Sequence, residues 1–427
     1  MWLKPTVLAF AVISIAAPAL ASDPLPRAAP GEVGLSPGAL ARIGEVLKAD
    51  VDKGRIPGAV VAIAHKGKLA YFEAFGFRDK AAGVPMTTDT IFSIASMTKP
   101  MTSAGILMLF EESRLLLADT VGKHLPPLAD RRVAVLNEDT ERQAEIETAP
   151  AHRQPTIHDL LRHTSGLTYG GRGTTSVHKM YPLSSASSGT SMTSSEFINK
   201  LATAPLLYQP GTVWDYSLST DVLGLIIEAL SEQTLGQFLQ ERLFKPLRME
   251  ETVFLIPPDK VARYVRALPS DPDTGRPQTV LDSTKPLKFE CGGGCAASTA
   301  GDYIRFAQML LNKGSLDGVR ILGHKMVEHM TADHLGPDVK NTIPVVSPLL
   351  PGYGFGLGVA VRKQDGLSPL VGSAGEYTWG GAYGTSFWID PKEELAVVFM
   401  AHAPSAAIRA HYRQVLNALV TSALTSH

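Results

Sequence analysis

The chain has 427 residues, which exceeds the length at which one hydrophobic core stops growing, so two domains or one domain with a large insertion are expected. Its 40 Lys and Arg residues balance 41 Asp and Glu residues, and no basic stripe is interleaved with aromatic residues. This composition argues against an electrostatic surface for nucleic acid or for an anionic membrane. We therefore expect a small-molecule partner and no nucleic acid.

The N-terminus has the pattern of a secretory signal peptide. Residues 1–4 are short and basic, residues 6–17 are almost wholly apolar, and Ala19-Leu20-Ala21 supplies small residues for cleavage. The prediction is a signal peptide over residues 1–21 and an exported, periplasmic or secreted protein without stable membrane insertion; an uncleaved N-terminal anchor is the alternative.

Both ends of the remaining chain carry strand and helix patterns. Ser36-Pro37 and the apolar positions after it predict an N-capped helix that ends near Gly54. Residues 58–64 and 69–76 predict one hairpin, residues 382–389 and 395–401 predict another, and residues 404–424 look helical. The sheet is therefore expected to be assembled from both ends of the chain.

The middle of the chain differs in character. Residues 130–155 predict a surface excursion, and residues 170–195, rich in Gly, Ser and Thr, predict either a solvated linker or a lid over a site. Helical patterns occur at residues 156–161, 220–230 and 235–243. The expected fold class is α/β (α+β), with an α/β domain of residues 22–125 and 295–427 and a mainly helical domain of residues 126–294.

Only two cysteines occur, Cys291 and Cys295, on either side of three glycines. The glycines allow a turn tight enough for a disulfide in an oxidising compartment, and two free thiols are the alternative. No metal is expected, because two cysteines do not supply four ligands.

Ser96-Met97-Thr98-Lys99 is the first candidate for catalytic chemistry. If Ser96 opens a helix, Lys99 lies one turn further on the same face, within reach of the hydroxyl. Free N–H groups and a positive partial charge at the helix start would suit an oxyanion. The alternative is a helix-capping Ser and a solvated Lys.

A competing motif, Gly34-Leu35-Ser36-Pro37-Gly38, matches the lipase pattern G-x-S-x-G letter for letter. No buried strand precedes it, as a nucleophile elbow requires, so Ser36 is interpreted as a helix cap. Tyr216, between a Pro-Gly turn and a helix, is a second candidate, with a core tyrosine as its alternative. Trp379-Gly380-Gly381 is a third, with a strand bulge as its alternative.

Taken in order, Ser96–Lys99, Tyr216-Ser217-Leu218 and Trp379-Gly380-Gly381 resemble the three motifs of the serine β-lactamase and penicillin-binding protein superfamily. They look most like family VIII carboxylesterases, the class C β-lactamase-like esterases, over nearly the whole chain from about Gly31. The resemblance implies a β-lactamase-like fold, with a mixed antiparallel sheet flanked by helices and a helical domain beside it.

The resemblance also implies roles for individual residues. Ser96 would attack the ester, Lys99 and Tyr216 would accept its proton, and the backbone N–H groups of Ser96 and Ala382 would bind the oxyanion. His163 could be offered as a base, but the resemblance makes its segment structural. No cofactor is expected for this chemistry.

Two departures from the penicillin-recognising members point to the substrate. Leu218 stands where they carry Asn, and Trp379 stands where a Lys grips a carboxylate, a contact of roughly 1.5–3 kcal/mol. We therefore expect Trp379, Gly380, Gly381 and Leu218 to bind a neutral short-to-medium acyl ester. A β-lactamase or D,D-peptidase, a transesterase or amidase, and a non-enzymatic binder of cell-wall peptides are the alternatives, and three intact catalytic residues argue against the last.

Overall fold

The computed structural model describes residues 23–135 and 146–425, so the predicted signal peptide and part of the predicted excursion lie outside the described residues. Its centre is an eight-stranded sheet in the order β4-β5-β6-β7-β8-β1-β2-β3, in which every neighbouring pair is antiparallel. The strands are β1 Gly58–His65, β2 Lys68–Asp79, β3 Val84–Pro85, β4 Tyr353–Phe355, β5 Ala360–Arg362, β6 Tyr377–Gly380, β7 Ser386–Asp390 and β8 Leu395–Met400.

The described residues also form six longer helices: α1 Pro37–Asp52, α2 Thr98–Glu111, α3 Ser194–Thr203, α4 Ser219–Ser231, α5 Ala300–Leu311 and α6 Ala406–Thr421. Shorter α-helices span Val121–His124, Ile157–Leu161, Ser176–Met180, Ser185–Ser191, Leu235–Leu239, His324–Met330 and Ile343–Val346. Short strand pairs join Arg132–Ala134 to Thr148–Pro150, Phe92–Ser93 to Ala297–Ser298, Ser315–Leu316 to Val319–Arg320, and Val213–Trp214 to Lys340–Asn341. None of the helices in the described ranges is both long and apolar enough to cross a membrane.

The sheet is buried on both faces, as its central strand shows. Successive side chains of a strand alternate between faces. In β1, Val60 and Ala62 therefore join the larger core, which extends to α2 and α4, while Val61 and Ile63 join a second core beneath α1 and α6. This two-sided burial explains why β1 reads as a continuous apolar run.

Several sequence predictions are confirmed. The first hairpin is β1–β2, and the first helix is α1, capped by the Ser36 side chain, which accepts a hydrogen bond from the Ala39 N–H at 3.3 Å. The second hairpin is β7–β8, but β7 begins at Ser386 rather than at residue 382. Residues 381–385 instead form a turn in which Gly384 has a φ of 114°, a conformation that ends strand pairing.

The segment 170–195 is not a structureless linker. It contains the short helices Ser176–Met180 and Ser185–Ser191, each begun by a capping side chain, Thr175 and Ser184 respectively. After Cys295 the chain forms the short strand Ala297–Ser298 and then α5, which packs against β1 and β8. The domain boundaries themselves stay predictions.

Candidate active site

Ser96 lies in a single 3₁₀ turn that leads directly into α2. One neighbouring and one distant side chain hold this turn. Thr98 Oγ1 donates to the carbonyl of Ala95 at 2.7 Å, and the Tyr303 hydroxyl, from α5, donates to the carbonyl of Met97 at 2.9 Å. The position of Ser96 is therefore fixed by its surroundings on both sides.

Ala95, immediately before Ser96, has a φ of 45°. Non-glycine residues avoid this left-handed region, and such strain, of order 1–3 kcal/mol, persists where the surrounding structure enforces it. The preceding carbonyl, of Ile94, accepts a hydrogen bond from Thr385 Oγ1 at 3.1 Å in the turn after β6. The strained turn thus sets Ser96 against the end of β6.

Lys99 lies one helical turn after Ser96 and is fully buried. Its Nζ donates to Ser96 Oγ at 3.4 Å, to the Tyr169 hydroxyl at 3.1 Å and to the Gly293 carbonyl at 2.5 Å. It also lies 4.6 Å from the centre of the Tyr216 ring. The structure therefore brings Ser96, Lys99 and Tyr216, which are 120 residues apart in sequence at most, into one site.

The charge of Lys99 is set by its neighbours. Burial by itself lowers the pKa of Lys99, but attraction to Tyr169, Tyr216 and Asp221 outweighs burial, and the pKa is raised above the ordinary value for lysine. The side chain is therefore an ammonium at neutral pH.

A closed ring of hydrogen bonds surrounds this ammonium. Lys99 donates to Tyr169, the Tyr169 hydroxyl contacts Ser185 Oγ at 3.0 Å, and Ser185 Oγ donates to the Asp221 carboxylate at 2.7 Å. Asp221 also accepts from the Gly293 N–H at 2.9 Å, and the Gly293 carbonyl accepts from Lys99. The ring fixes Lys99 Nζ, because each partner is itself held by another.

The loop that supplies Gly293 is closed by a disulfide between Cys291 and Cys295, both fully buried. Thr102 Oγ1, from α2, donates to the Gly292 carbonyl at 3.0 Å. A side chain at Gly293 would lie 2.5 Å from Asp221, so the loop can approach the ring only as glycine. Of the two alternatives left by the sequence, the structure shows the disulfide.

Opening this disulfide should slow turnover as well as destabilise the fold. The bridge closes a loop of only five residues, so its entropic contribution is about 2 kcal/mol. In a Cys291→Ser, Cys295→Ser double variant, however, the Gly293 carbonyl is free to shift, and misplacing Lys99 should lower kcat by roughly 10- to 100-fold. Steady-state ester hydrolysis and thermal unfolding measure the two effects. Reductant should slow the wild type to the same extent as the double substitution does, and it should leave the double variant unchanged. Full activity of the wild type after verified reduction of the disulfide would contradict the prediction.

Tyr216 is held among aromatic rings. Its hydroxyl accepts a hydrogen bond from Trp379 Nε1 at 3.3 Å, and its ring centre lies 5.2 Å from that of Trp379, 4.9 Å from that of His163 and 6.1 Å from that of Trp214. These ring contacts and the hydrogen bond from the indole fix the orientation of the Tyr216 phenol.

His163 belongs to this packing and not to the reacting groups. It is fully buried, and its Nδ1 shares a hydrogen bond with Ser217 Oγ at 3.2 Å. Burial, with a smaller contribution from the positive charges of Lys99 and Arg172, lowers the pKa of His163 well below its usual value. A neutral ring behind Tyr216 agrees with the structural role predicted for its segment.

Two cavities meet at Ser96 and Ala382. The tyrosine-side cavity, of about 180 Å³, is lined by Ser96, Tyr216, Val346, Ser347, Pro348, Leu349, Trp379, Gly380, Ala382, Ala406, Arg409, Ala410 and Arg413. The serine-rich cavity, of about 520 Å³, is lined by Ala95, Ser96, Ser184, Ser185, Ala186, Ser187, Thr190, Thr279, Val280, Leu281, Asp282, Gly293, Gly294, Ala382 and Tyr383. The segment 170–195 therefore forms a wall of the second cavity.

The predicted substrate-binding residues separate into two groups. Trp379 and Gly380 line the tyrosine-side cavity. Ala382, predicted for the oxyanion hole, lines both cavities, and its N–H has no hydrogen-bond partner among the described residues. Gly381 instead donates to the Thr385 carbonyl at 2.8 Å and lies in neither cavity.

Leu218 was expected to contact substrate, and the structure does not place it there. It is fully buried in the larger core, immediately before α4, and lines neither cavity. The reason is its apolar side chain, which packs into the core where an amide would have to reach a polar partner.

Sequence reasoning missed Tyr169, Ser185 and Asp221. Asp221 occupies the first turn of α4, where an acidic residue is ordinary, and Ser185 sits in a run of serines, so neither pattern indicated a site.

In the described part of the chain, no group of three or more His, Cys, Asp or Glu side chains is arranged to hold a metal ion.

Comparison with known proteins assigns the family. The family model described as Beta-lactamase matches residues 43–420, most of the chain. The chain belongs to the beta-lactamase family. Among curated members, Protein Rv1367c of Mycobacterium tuberculosis is 36% identical over 365 residues, covering 84% of this chain and 89% of that protein. Esterase EstB of Burkholderia gladioli is 28% identical over 383 residues, covering 85% and 90%.

A solved structure of the same family supports the fold. EstCE1, titled a hydrolase with promiscuous acyltransferase activity, superposes with a TM-score of 0.73 at 25% identity and covers 90% of this chain and 98% of its own. The predicted β-lactamase-like fold, α/β (α+β) with an antiparallel sheet flanked by helices, is confirmed. The resemblance to β-lactamase-like esterases is confirmed as well.

Proposed function

We propose that this beta-lactamase-family hydrolase is a serine carboxylesterase of the family VIII type, which cleaves short-to-medium acyl esters through an acyl-enzyme. The observation that carries the proposal is the contact between Ser96 Oγ and the buried Lys99 ammonium, at the junction of two cavities. The printed names of EstB, an esterase, and EstCE1, a hydrolase with acyltransferase activity, support it.

Tyr216 is the better base in this arrangement. Lys99 is already protonated and cannot accept the proton of Ser96, whereas Tyr216 lies beside it, with its ring centre 4.6 Å from Lys99 Nζ. In this step the Tyr216 oxygen takes the proton of Ser96 as Oγ attacks the ester carbonyl. When the C–O bond to the alcohol breaks, Tyr216 returns that proton to the leaving oxygen, and water then releases the acid by the same steps.

The oxyanion of each tetrahedral intermediate lies between the backbone N–H groups of Ser96 and Ala382. Ala382 lines both cavities and its N–H has no hydrogen-bond partner among the described residues, so this group is free to bind a substrate oxygen. Each such donor contributes about 3 kcal/mol to the transition state. The chemistry needs no cofactor.

A substrate panel tests this function. We expect p-nitrophenyl butyrate to be hydrolysed with a kcat/KM roughly 10- to 100-fold above that for the β-lactam nitrocefin, because the third motif has Trp379 in place of a carboxylate-binding Lys. Preference for nitrocefin, or for an acyl-D-Ala-D-Ala peptide, would contradict the esterase proposal. Added alcohol in the same assay shows whether the acyl group is also transferred. Export of the chain remains part of the proposal, tested by N-terminal sequencing of the mature protein.

A further inference from the structure

Two arginines line the tyrosine-side cavity. Arg409 and Arg413 lie four residues apart on α6, which places their side chains on one face of that helix. A side chain at Gly380 would collide with the Arg413 guanidinium, so this group lies directly against the third motif. The cavity thus contains positive charge that comes from the C-terminal helix and not from the third motif itself.

Neither guanidinium has an acidic partner in the described part of the chain. Arg409 Nε donates to the Pro404 carbonyl at 3.2 Å, and Arg413 Nη1 donates to Ser347 Oγ at 3.4 Å. By contrast, the half-buried Arg162, which lies outside this cavity, forms an ion pair with Asp159. Neutral partners leave most of the donors of Arg409 and Arg413 without a charged acceptor.

Burial in the cavity raises the free-energy cost of leaving these two charges without an acidic partner. Burial lowers the pKa of Arg409 and lowers that of Arg413 to about 10, where repulsion from Arg409 adds to the effect. Both remain protonated at neutral pH. The other lining residues are apolar or hydroxyl-bearing, and none is acidic. Partly desolvated guanidinium groups without a carboxylate partner are unfavourable, and a bound carboxylate would relieve that cost.

The position of Tyr216 shows which half of the ester meets these arginines. Tyr216 lines the tyrosine-side cavity and is absent from the lining of the serine-rich cavity. The group that protonates the leaving oxygen must be on the leaving group's side of the carbonyl. The alcohol half of the ester therefore occupies the tyrosine-side cavity, and the acyl half occupies the larger, serine-rich cavity.

We propose that the preferred substrates are esters of hydroxy acids, whose alcohol half carries a carboxylate that Arg409 and Arg413 bind. This inference rests on the proposed esterase function and specifies its substrate class. Guanidinium groups suit carboxylates because their planar donors can pair with both oxygens. The sequence-based expectation of a neutral ester then holds for the acyl half only, since the missing Lys at Trp379 is replaced by cations from α6.

A matched pair of esters tests the inference. 3-(Butyryloxy)benzoate and 3-(butyryloxy)benzamide share the acyl group and differ in the charge of the alcohol half. After division by their spontaneous hydrolysis rates, we expect the wild type to favour the benzoate by about tenfold in kcat/KM at pH 7. Arg409→Gln and Arg413→Gln should each reduce this ratio by about fivefold or more, whereas Arg42→Gln, which removes an exposed charge on α1, should leave the ratio unchanged.

The outcomes separate this inference from the proposed function. A wild-type ratio near one, or a preference that survives both Gln variants, overturns the carboxylate site while esterase activity stands. Hydrolysis of neither ester, nor of p-nitrophenyl butyrate, contradicts the esterase function itself. The comparison of the two esters on the wild type needs no variant, so the inference can be tested even if a Gln variant misfolds. Arg413→Lys keeps the positive charge and should retain more of the preference for the benzoate than Arg413→Gln.

Discussion

Replacing Ser96 with Ala should lower kcat for p-nitrophenyl butyrate by roughly 10⁴- to 10⁶-fold, because no other serine among the described residues contacts Lys99 Nζ. The variant should remain fully folded. Ser96 accepts one hydrogen bond from Lys99, and Lys99 keeps Tyr169 and the Gly293 carbonyl as partners. Residual activity is measured by single-turnover kinetics, and folding by the thermal unfolding temperature.

Ser36 provides the matched control for this substitution. It lies in the sequence G-L-S-P-G, but its side chain caps α1. Ser36→Ala should therefore cost about 1 kcal/mol of stability and leave kcat nearly unchanged. A serine-reactive phosphonate should label only Ser96 in the wild type. Label on another residue, or a Ser36→Ala variant that loses activity while folded, would refute Ser96 as the nucleophile.

Replacing Lys99 with Met should lower kcat by roughly 10²- to 10⁴-fold. The methionine has a similar length but no charge, so Ser96 Oγ and the Tyr216 ring both lose their contact with the ammonium. Unlike Ser96→Ala, this change also breaks the hydrogen-bond ring, leaving the Gly293 carbonyl unpaired and the buried Asp221 carboxylate without its cation. We expect a loss of about 3 kcal/mol in the free energy of unfolding.

The two effects of Lys99→Met are measured separately. Denaturant titration gives the stability, and kinetics at a temperature where the variant is folded give kcat. Lys392→Met, at an exposed turn between β7 and β8, is the control and should change neither quantity by much. A folded Lys99→Met enzyme with wild-type kcat would show that the ammonium has no part in the chemistry.

The sequence by itself determined the local elements and the order of the motifs. The apolar runs of β1 and β2 and the Ser36 cap of α1 depend on neighbours in the chain, so they could be predicted from the sequence. The same is true of the spacing between Ser96 and Lys99, because helical geometry alone places residues three apart on one face.

Only the tertiary structure decided what surrounds those residues. Asp221 and Ser185 meet Lys99 through Gly293, 194 residues away in sequence from that lysine, and none of them is unusual in its local pattern. The disulfide was one of two open alternatives until the glycine loop was seen packed against α2. Such contacts depend on how the elements pack, which local patterns do not encode.

The charge of the substrate cavity shows this division most clearly. The sequence showed that the third motif has Trp379 where related proteins have a cation, and it suggested an uncharged cavity. Packing of α6 against the end of β6 brings Arg409 and Arg413 to the same cavity from the far C-terminus. On a helix pattern these two arginines look like ordinary solvated residues, because periodicity shows which residues share a face but not what that face meets.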